Sequence, residues 1–274
     1  MQRLWRTTAF ADHYLATRQA SGGEERAFVR VLRPSLGTEP EAILRHGREL
    51  RLLTQFVHRG MLPVLDHGVT LEGDPWLATA WQLGELLRSR LDDGPLPWRS
   101  AVRIAAQVAD VLAAAHDAGW VHRDLRPAHV LVGPAEQVWV LDFDQVHHDE
   151  GMAEITGAGE RVGSRAYMSP EYIEKGLLDA RSDLYSLGVL LYELATGHVP
   201  FRGRTHEVIE AHLKAPVPDH PRLRATPGGF AQLVRQLLSK DPSRRPSHTA
   251  QVADQLRKLG TLPPRATSLP PVDA

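Results

Sequence analysis

The chain has 274 residues, of which 42% are hydrophobic and 24% charged, a composition that predicts one or two globular domains rather than disorder. It contains no cysteine, which excludes a disulfide framework, a thiolate metal site and a cysteine nucleophile. Thirty-two basic and thirty-three acidic residues give a net charge of −1, so the charge balance argues against nucleic acid or an anionic membrane as a partner.

The N-terminal third contains short β-prone segments separated by turn-forming residues. Ser21-Gly22-Gly23 divides the first two segments, and Pro34 ends the second. Apolar residues at helical spacing then predict a helix over 41–56. The predicted strands lie at 13–16, 27–32, 62–65 and 76–81.

Beyond Gly84 the pattern becomes helical. Gly119 and Gly197 close the first two predicted helices. The segment 261–274 holds four prolines and no apolar periodicity, so we expect a tail or a linker there. No apolar run is long enough to span a membrane and the N-terminus has no apolar signal core, so we expect a soluble, cytoplasmic protein without membrane insertion. The predicted helices are 98–118, 182–195 and 230–239.

Five motifs follow one another in the order and spacing of protein kinases. In chain order they resemble the catalytic loop, the metal-binding D-F-G segment, the end of the activation segment and two structural motifs of the helical lobe. They are Val121–Val132, Leu141–Asp144, Val162–Glu171, Arg181–Gly188 and Asp241–Pro246. On these motifs, residues 1–260 are similar to the eukaryotic-like (bacterial Hanks-type) serine/threonine protein kinase family.

The resemblance implies an α+β fold of two lobes. A small β-rich N-lobe with helix C is expected over 1–81, and a larger, mainly helical C-lobe over 82–260. The resemblance also implies a buried ion pair between Glu171 and Arg245, and an apolar spine that is anchored by Asp183. The expected spine residues are Leu53, Val64, His122 and Phe143.

Phosphoryl transfer needs phosphates held in place, neutralised charge and an oriented hydroxyl. By the resemblance, Asp124 accepts the proton of the attacking hydroxyl and Asp142 binds Mg²⁺. ATP is then the expected phosphate donor, and a protein hydroxyl the acceptor. Ala80 and Gln82 in the hinge after the gatekeeper residue, together with Leu131 on the apolar floor, are the expected adenine contacts.

Three positions that handle metal or phosphate depart from the family pattern. His129 stands where a second Mg²⁺ ligand is normally Asn; imidazole suits softer metals, so we expect a hydrogen-bonding loop residue there, with Mn²⁺ as the alternative ion. Arg30 replaces the strand lysine, with Glu49 as its expected partner, and Arg126 replaces the catalytic-loop lysine. Only four of the 32 basic residues are lysine, so compositional drift is an alternative explanation for both arginines.

The glycine-rich loop is missing from its expected place. Aligning Tyr14 with the strand that follows this loop places Arg6, Thr8 and Ala11 where three glycines belong. Glycine lets the backbone approach phosphate and offer its N–H groups, whereas side chains hold it away. This departure predicts weaker nucleotide binding.

Two further departures bear on the nucleotide. Phe28 stands where a small alanine normally packs on the purine; it either fills the adenine volume above Leu131 or, after a one-residue shift of the strand, faces elsewhere in the lobe. Filling of the pocket is the favoured interpretation. Asp144 replaces the glycine of D-F-G and adds negative charge beside the phosphate site.

Two functions compete. The favoured hypothesis is a pseudokinase, a regulatory or scaffolding module that binds a protein partner and needs no cofactor. The alternative is an active serine/threonine kinase that transfers the ATP γ-phosphate to a protein substrate with Mg²⁺ or Mn²⁺, using Asp124 as base and Asp142 as metal ligand. Thr156 is then the one obvious phosphoacceptor between Asp142 and Tyr167 once Ser164 is set aside as a structural position of the family.

Overall fold

Two β-sheets and a mainly helical region make up the computed structural model, as the predicted α+β class requires. The structure describes residues 2–7, 11–20, 23–32, 46–47, 50–51, 53–54, 56–143 and 165–261. The predictions that concern Thr8, Glu49, Asp144, Thr156, Ser164 and the tail beyond 261 lie outside the described residues.

The first sheet has five antiparallel strands in the order β1-β2-β3-β5-β4. Pro63 has no N–H to donate to a ladder, and β4 begins just after it, later than predicted. The Pro63 carbonyl instead accepts the N–H of Ala80 at 2.8 Å, which joins the start of β4 to the end of β5. The strands are β1 (Gln2–Thr7), β2 (Ala11–Ala20), β3 (Gly23–Leu32), β4 (Val64–Val69) and β5 (Pro75–Ala80).

The two faces of this sheet carry different residues. Because side chains alternate along a strand, Phe28 and Arg30 of β3 lie on one face, which we call the inner face, and Val29 and Val31 on the opposite, outer face. Between β3 and β4 the described residues 46–47, 50–51 and 53–54 are helical, in agreement with the helix predicted over 41–56.

A second, three-stranded sheet is formed by β6 (Glu85–Leu86), β7 (Val130–Val132) and β8 (Val138–Val140). Antiparallel pairing of Val130 with Val140 places His129, just before β7, beside Leu141, just after β8. The Leu141 N–H donates to the His129 carbonyl at 2.8 Å. This hairpin therefore brings the predicted catalytic loop next to the predicted D-F-G segment.

The helical region is built around one buried helix. Every residue of this helix from Ser182 to Thr196 is buried, as expected for a helix at the centre of a core. Asp179 caps its start by accepting the N–H groups of Arg181 and Ser182, and Gly197 ends it in the left-handed region at φ 83°. The helices are α1 (Leu87–Asp92), α2 (Trp98–Asp117), α3 (Pro170–Lys175), α4 (Ala180–Thr196), α5 (Thr205–Lys214), α6 (Pro221–Arg224), α7 (Gly228–Leu237) and α8 (Thr249–Thr261).

All three helices predicted from the C-terminal two thirds are present. The helix predicted over 230–239 lies two residues earlier, at Gly228–Leu237, and begins directly after Pro227. Within the described part of the chain, no helix is long and apolar enough to cross a membrane. The proposed lobe boundary at 81/82 falls in the connection from β5 to β6 and stays a prediction.

Candidate functional site

The loop that carries Asp124 is fixed to the core by one buried carboxylate. Asp183, near the start of α4, accepts the backbone N–H of His122 at 2.7 Å and of Arg123 at 2.8 Å. Its Oδ2 also lies 2.8 Å from His116 Nε2 of α2. Arg123 has a left-handed backbone (φ 71°), which is costly for a residue with a side chain and which these bonds hold in place. The expected anchoring role of Asp183 is confirmed.

His122 joins this loop to the D-F-G segment. Burial lowers the pKa of His122, so its imidazole is neutral at physiological pH. Its Nε2 lies 3.0 Å from the Leu141 carbonyl and its Nδ1 3.3 Å from the Asp124 N–H, which assigns the proton to Nε2. Its ring centroid is 4.6 Å from that of the buried Phe143, so this part of the predicted spine is in contact.

Asp124 lies beside two nitrogen-bearing side chains. Arg126 Nε is 3.3 Å from Asp124 Oδ2, and His129 Nδ1 is 3.6 Å from the same oxygen. His129 Nδ1 also hydrogen-bonds the Asp124 backbone carbonyl at 2.8 Å, which makes His129 the hydrogen-bonding loop residue that was expected. The Asp124 carboxylate is 11% exposed, so an acceptor at this position is shielded from bulk water.

Asp142 faces the other side of the same histidine. His129 Nε2 lies 3.7 Å from Asp142 Oδ2, and Arg30 Nη1 of β3 lies 3.8 Å from Asp142 Oδ1. Burial opposes ionisation of Asp142, but His129 and Arg30 outweigh it and hold the pKa of the carboxyl below its ordinary value. Asp142 is therefore a carboxylate at neutral pH, and it is 30% exposed.

His129 consequently bridges the two carboxylates. The buried imidazole has one nitrogen toward Asp124 and the other toward Asp142, and each carboxylate also lies beside an arginine, Arg126 for Asp124 and Arg30 for Asp142. Arg126 Nη2 lies 3.4 Å from His129 Nε2, so Arg126 contacts the imidazole as well as the Asp124 carboxylate. We call the two carboxylates, Asp124 and Asp142, together with the three side chains that contact them the bridged pair. Those three side chains are Arg30, Arg126 and His129.

The bridged pair is a poor fit for magnesium. Mg²⁺ takes oxygen ligands in tight octahedral geometry, and the position expected to supply a second oxygen supplies imidazole instead. Among the described residues, no group of three or more His, Cys, Asp or Glu side chains is arranged to hold a metal ion. The donor set therefore does not fit the pair of magnesium ions that the resemblance implies.

The position of Phe28 follows from the strand register. Its cross-strand neighbours are Leu15 on β2 and Thr79 on β5, and it shares the inner face with Arg30, whose guanidinium reaches Asp142. Of the two orientations that the sequence left open, the structure therefore has the one in which Phe28 lies on the side of the candidate nucleotide site. Leu131, the expected floor of that site, is buried in β7.

The remaining predicted site residues lie at the edges of this region. Ala80 ends β5, and Gln82 follows in the connection to β6. Ala11, at one expected glycine position, is the first residue of β2 and is 3% exposed. Arg6, at another, lies in β1 opposite His13.

The predicted ion pair of the helical region is present. Arg245, fully buried, donates to Glu171 Oε1 at 2.7 Å and to Oε2 at 2.8 Å, while Ser182 Oγ donates to Oε1 at 2.8 Å. Burial disfavours the Glu171 carboxylate, but the hydrogen bonds from Arg245 outweigh it, so the pKa of Glu171 lies below its ordinary value. The pair joins the start of α3 to the segment before α8.

One buried network was not found by sequence reasoning. Tyr167 donates its hydroxyl to Glu193 Oε2, and Arg88 Nη1 lies 2.8 Å from Glu193 Oε1. Burial and Glu193 raise the pKa of Tyr167 far above its ordinary value, so the phenol stays protonated. The available signal was a lone glutamate within the apolar helix α4, because a buried carboxylate needs partners.

Comparison with known proteins places these features in a family context. Residues 41–256 match the protein kinase domain family. The chain is 37% identical over 214 residues to the DNA damage-responsive serine/threonine-protein kinase RqkA of Deinococcus radiodurans, a match that covers 76% of the chain and 32% of the relative. It is 32% identical over 245 residues to the serine/threonine-protein kinase PknB of Mycobacterium leprae, with 87% of the chain and 39% of the relative covered.

A third relative is similar to the same extent. The chain is 33% identical over 256 residues to the serine/threonine-protein kinase pkn3 of Myxococcus xanthus, with 88% of the chain and 46% of the relative covered. The chain thus spans less than half the length of these curated relatives.

Proposed function

The chain belongs to the protein kinase family, and from this premise we propose that it is a serine/threonine protein-kinase-like domain acting as a pseudokinase. Its role is regulatory or scaffolding, through binding of a protein partner, with impaired or absent ATP binding and phosphotransfer.

The observation that carries this proposal is the bridged pair. Phosphotransfer requires one carboxylate open to a hydroxyl and another open to a metal ion. Here each carboxylate lies within 4 Å of an arginine nitrogen and of a His129 nitrogen. A metal ion and a substrate have to displace these contacts before they can bind.

The inner face of the sheet adds to this argument. Phe28 offers a large apolar side chain on the face where the family packs adenine, and Ala11 is the buried first residue of β2 at a position where the family has glycine. A bulky group in the adenine volume competes with the base directly. The two features together lower the expected affinity for a nucleotide, in addition to the effect of the bridged pair.

An active serine/threonine kinase is the second candidate. Two observations favour it: the chain retains Asp124 and Asp142, and its relatives are named kinases. Active members of this family use ATP, a divalent metal ion and protein substrates. On this reading Asp124 is the base and Asp142 the metal ligand.

Phosphate transfer decides between the two candidates. The purified chain is incubated with γ-³²P-labelled ATP, Mg²⁺ or Mn²⁺ and a generic protein acceptor, beside the matched variant Asp124→Asn. We expect equal, background-level labelling of both proteins, because the arginines and His129 compete with a metal ion and a substrate for both carboxylates. Labelling by the parent chain that is lost in Asp124→Asn would establish the active kinase and overturn the pseudokinase proposal.

A further inference from the structure

The outer face of the five-stranded sheet carries a groove of about 620 Å³ between β2, β3, β4 and β5. We propose that this groove is a docking site for a basic, amphipathic segment of a partner protein, which places apolar side chains on the floor and Arg or Lys side chains against the rim. The proposal concerns the face opposite Phe28 and Arg30 and does not depend on whether the chain transfers phosphate. We call this site the outer groove; its floor is Tyr14, Ala16, Ala27, Val29, Val31, Leu65, Trp76 and Ala78, and its acidic rim is Asp12, Glu25, Asp66, Glu72 and Asp74.

The depth of the floor comes from the size of neighbouring side chains. Ala16 pairs with Ala27 across β2 and β3, so two small residues lie side by side. In the next rows Val29 pairs with Tyr14 and with Ala78, and Val31 pairs with Trp76. Large rings beside alanines leave a hollow on a surface that is otherwise flat.

The position of Trp76 shows that the floor is preorganised. A Cβ added at Gly68, the residue paired with Trp76 on β4, would lie 3.2 Å from the indole ring. The ring therefore lies close against the β4 backbone at Gly68, where a side chain would push it by a few tenths of an ångström. Such a fixed aromatic surface loses little conformational entropy when an apolar side chain packs on it.

An irregularity in β4 brings an apolar residue and an acid to the same face. The register of β4 against β5 shifts between Val64 and Asp66, and both Leu65 and Asp66 line the groove. Consecutive residues of a regular strand point to opposite faces, so the shift builds the junction of floor and rim.

The turn between β4 and β5 borders the groove through Thr70 and Glu72, and Leu71 between them is completely exposed. The turn is well fixed, since Thr70 accepts the Gly73 N–H at 3.0 Å and the Asp74 N–H at 3.1 Å. A large apolar side chain held in solvent beside acidic residues is typical of a contact surface.

The charge of the rim selects the partner. Among the described residues that line the groove there are five carboxylates and one base, Arg26, whereas the whole chain has a net charge of only −1. Such a rim attracts Arg and Lys side chains and repels phosphates, which excludes nucleic acid and anionic lipid. A second copy of the chain would bring an identical acidic rim, so a basic partner is favoured over self-association.

The test uses a designed probe, an 18-residue amphipathic peptide of Leu and Arg, and a counterpart in which Glu replaces every Arg. We expect the basic peptide to bind the chain in a salt-dependent manner and the acidic peptide not to bind. In the rim variant Asp66→Asn, Glu72→Gln, Asp74→Asn the affinity for the basic peptide should fall about tenfold. A matched variant that removes three exposed acids of the helical region, Glu174→Gln, Glu210→Gln and Asp254→Asn, should bind like the parent.

The apolar surface beside the groove, at Leu71 between the lining residues Thr70 and Glu72, is tested separately. Leu71→Ser should weaken binding, while the control Leu177→Ser, at a residue that is 61% exposed on the helical region, should not. Peptide binding should also change the tryptophan emission of the parent chain but not that of Trp76→Phe, which reports occupancy of the groove itself.

Several results would overturn the proposal. These are equal binding of the acidic and basic peptides, loss of affinity in the C-terminal control as large as in the rim variant, and no binding at millimolar peptide. Sedimentation of the parent chain as a dimer that the rim variant abolishes would also overturn it, because the groove would then be an interface between copies.

Discussion

Each carboxylate of the bridged pair lies beside a cation supplied by the chain itself. Arg126 neighbours Asp124 and Arg30 neighbours Asp142, at 3.3 and 3.8 Å. A guanidinium is a planar fork with a preference for carboxylates, whereas the family's lysine is a compact point charge better suited to a phosphate oxygen. The exchange of lysine for arginine therefore favours contacts within the protein over contacts with a nucleotide.

Restoring the family residues should reopen the site. In the triple variant Arg30→Lys, Arg126→Lys, His129→Asn, we expect ATP with Mg²⁺ to raise the melting temperature, because the contacts that bridge the carboxylates are gone and an amide oxygen is available. Ligand at a hundredfold excess over its Kd stabilises a protein by about 2.7 kcal/mol, which is a shift of several degrees. The parent chain should show a smaller shift or none, in the same thermal-shift measurement.

The control keeps the same chemical changes at exposed positions, Arg51→Lys, Arg235→Lys and His206→Asn. It should behave like the parent chain. An unaltered response in the restored variant, with its fold intact by circular dichroism, would mean that the bridged pair is not what limits nucleotide binding.

The buried histidine His212 is expected to make the stability of the chain depend on pH. His212 is buried, its Nδ1 shares a hydrogen bond with the Tyr185 hydroxyl at 2.9 Å, and its ring lies edge-on to Phe201. Burial, with a smaller effect of Lys240, lowers the pKa of His212 to about 3. The unfolded chain takes up a proton near the ordinary pKa of 6.5 while the folded chain does not.

The free energy of unfolding should therefore fall as the pH is lowered from 6.5 toward 5, before most carboxylates titrate. Urea unfolding at several pH values measures this slope, and His212→Leu should make it shallower because the group that titrates is removed. The exposed His206→Leu serves as control and should keep the parent slope. A parent-like slope in His212→Leu would contradict the argument.

Sequence reasoning at the residue scale succeeded where the backbone alone decides proximity. His129, Asp142 and the Asp124 loop are neighbours because a short hairpin folds them together, and motif spacing is enough to see this. The contact of Arg30 with Asp142 was not foreseen. The expected partner, Glu49, lies outside the described residues, so that pairing stays a prediction. A long arginine side chain reaches acids on several elements, and its choice depends on packing that spacing does not encode.

At the scale of elements, the contact between α4 and α7 depends on a glycine. A Cβ at Gly188 would meet the Cβ of Leu237 at 2.8 Å and a side-chain carbon of Leu238 at 3.1 Å. The two helices approach closely here, and a methyl group at position 188 would overlap the Leu237 Cβ, which cannot move without its backbone. Gly188 is thus required by packing and not by backbone conformation.

Gly188→Ala should destabilise the chain in spite of its better helix propensity. Alanine is favoured over glycine inside a helix by about 1 kcal/mol, whereas overpacking a core costs about 1–3 kcal/mol. We expect a net loss in the free energy of urea unfolding. Gly228→Ala, at the start of α7 with open space around the Cβ position, is the control and should be neutral or stabilising.

Helix positions were predictable because their limits have local chemical causes. Gly119 and Gly197 adopt left-handed backbones after α2 and α4, at φ 80° and 83°, and mark the helix ends in the sequence. The start of β4 was misplaced because Pro63 was included in an apolar run. The Tyr167–Glu193–Arg88 network was missed because its members are 26 and 105 residues apart in the chain.

At the scale of the whole molecule, the α+β class and the order of its parts followed from the change in pattern at Gly84 and from five spaced motifs. The orientation of Phe28 required the strand register, which a single sequence leaves open by one residue. The sequence pattern did not predict the outer groove, for a different reason. Its floor draws one to three residues from each of four strands, and none of those strands is unusual by itself.

The anchoring of the loop by Asp183 separates the shape of the site from its chemistry. The bonds that anchor the loop to the core run from the backbone N–H groups of His122 and Arg123 to a buried carboxylate, so this anchor does not involve the side chains at 126 and 129. The attachment of the loop therefore depends on a core carboxylate and on backbone groups that every residue type has. Side chains that set the chemistry of the loop can differ between relatives while its attachment to the core stays the same.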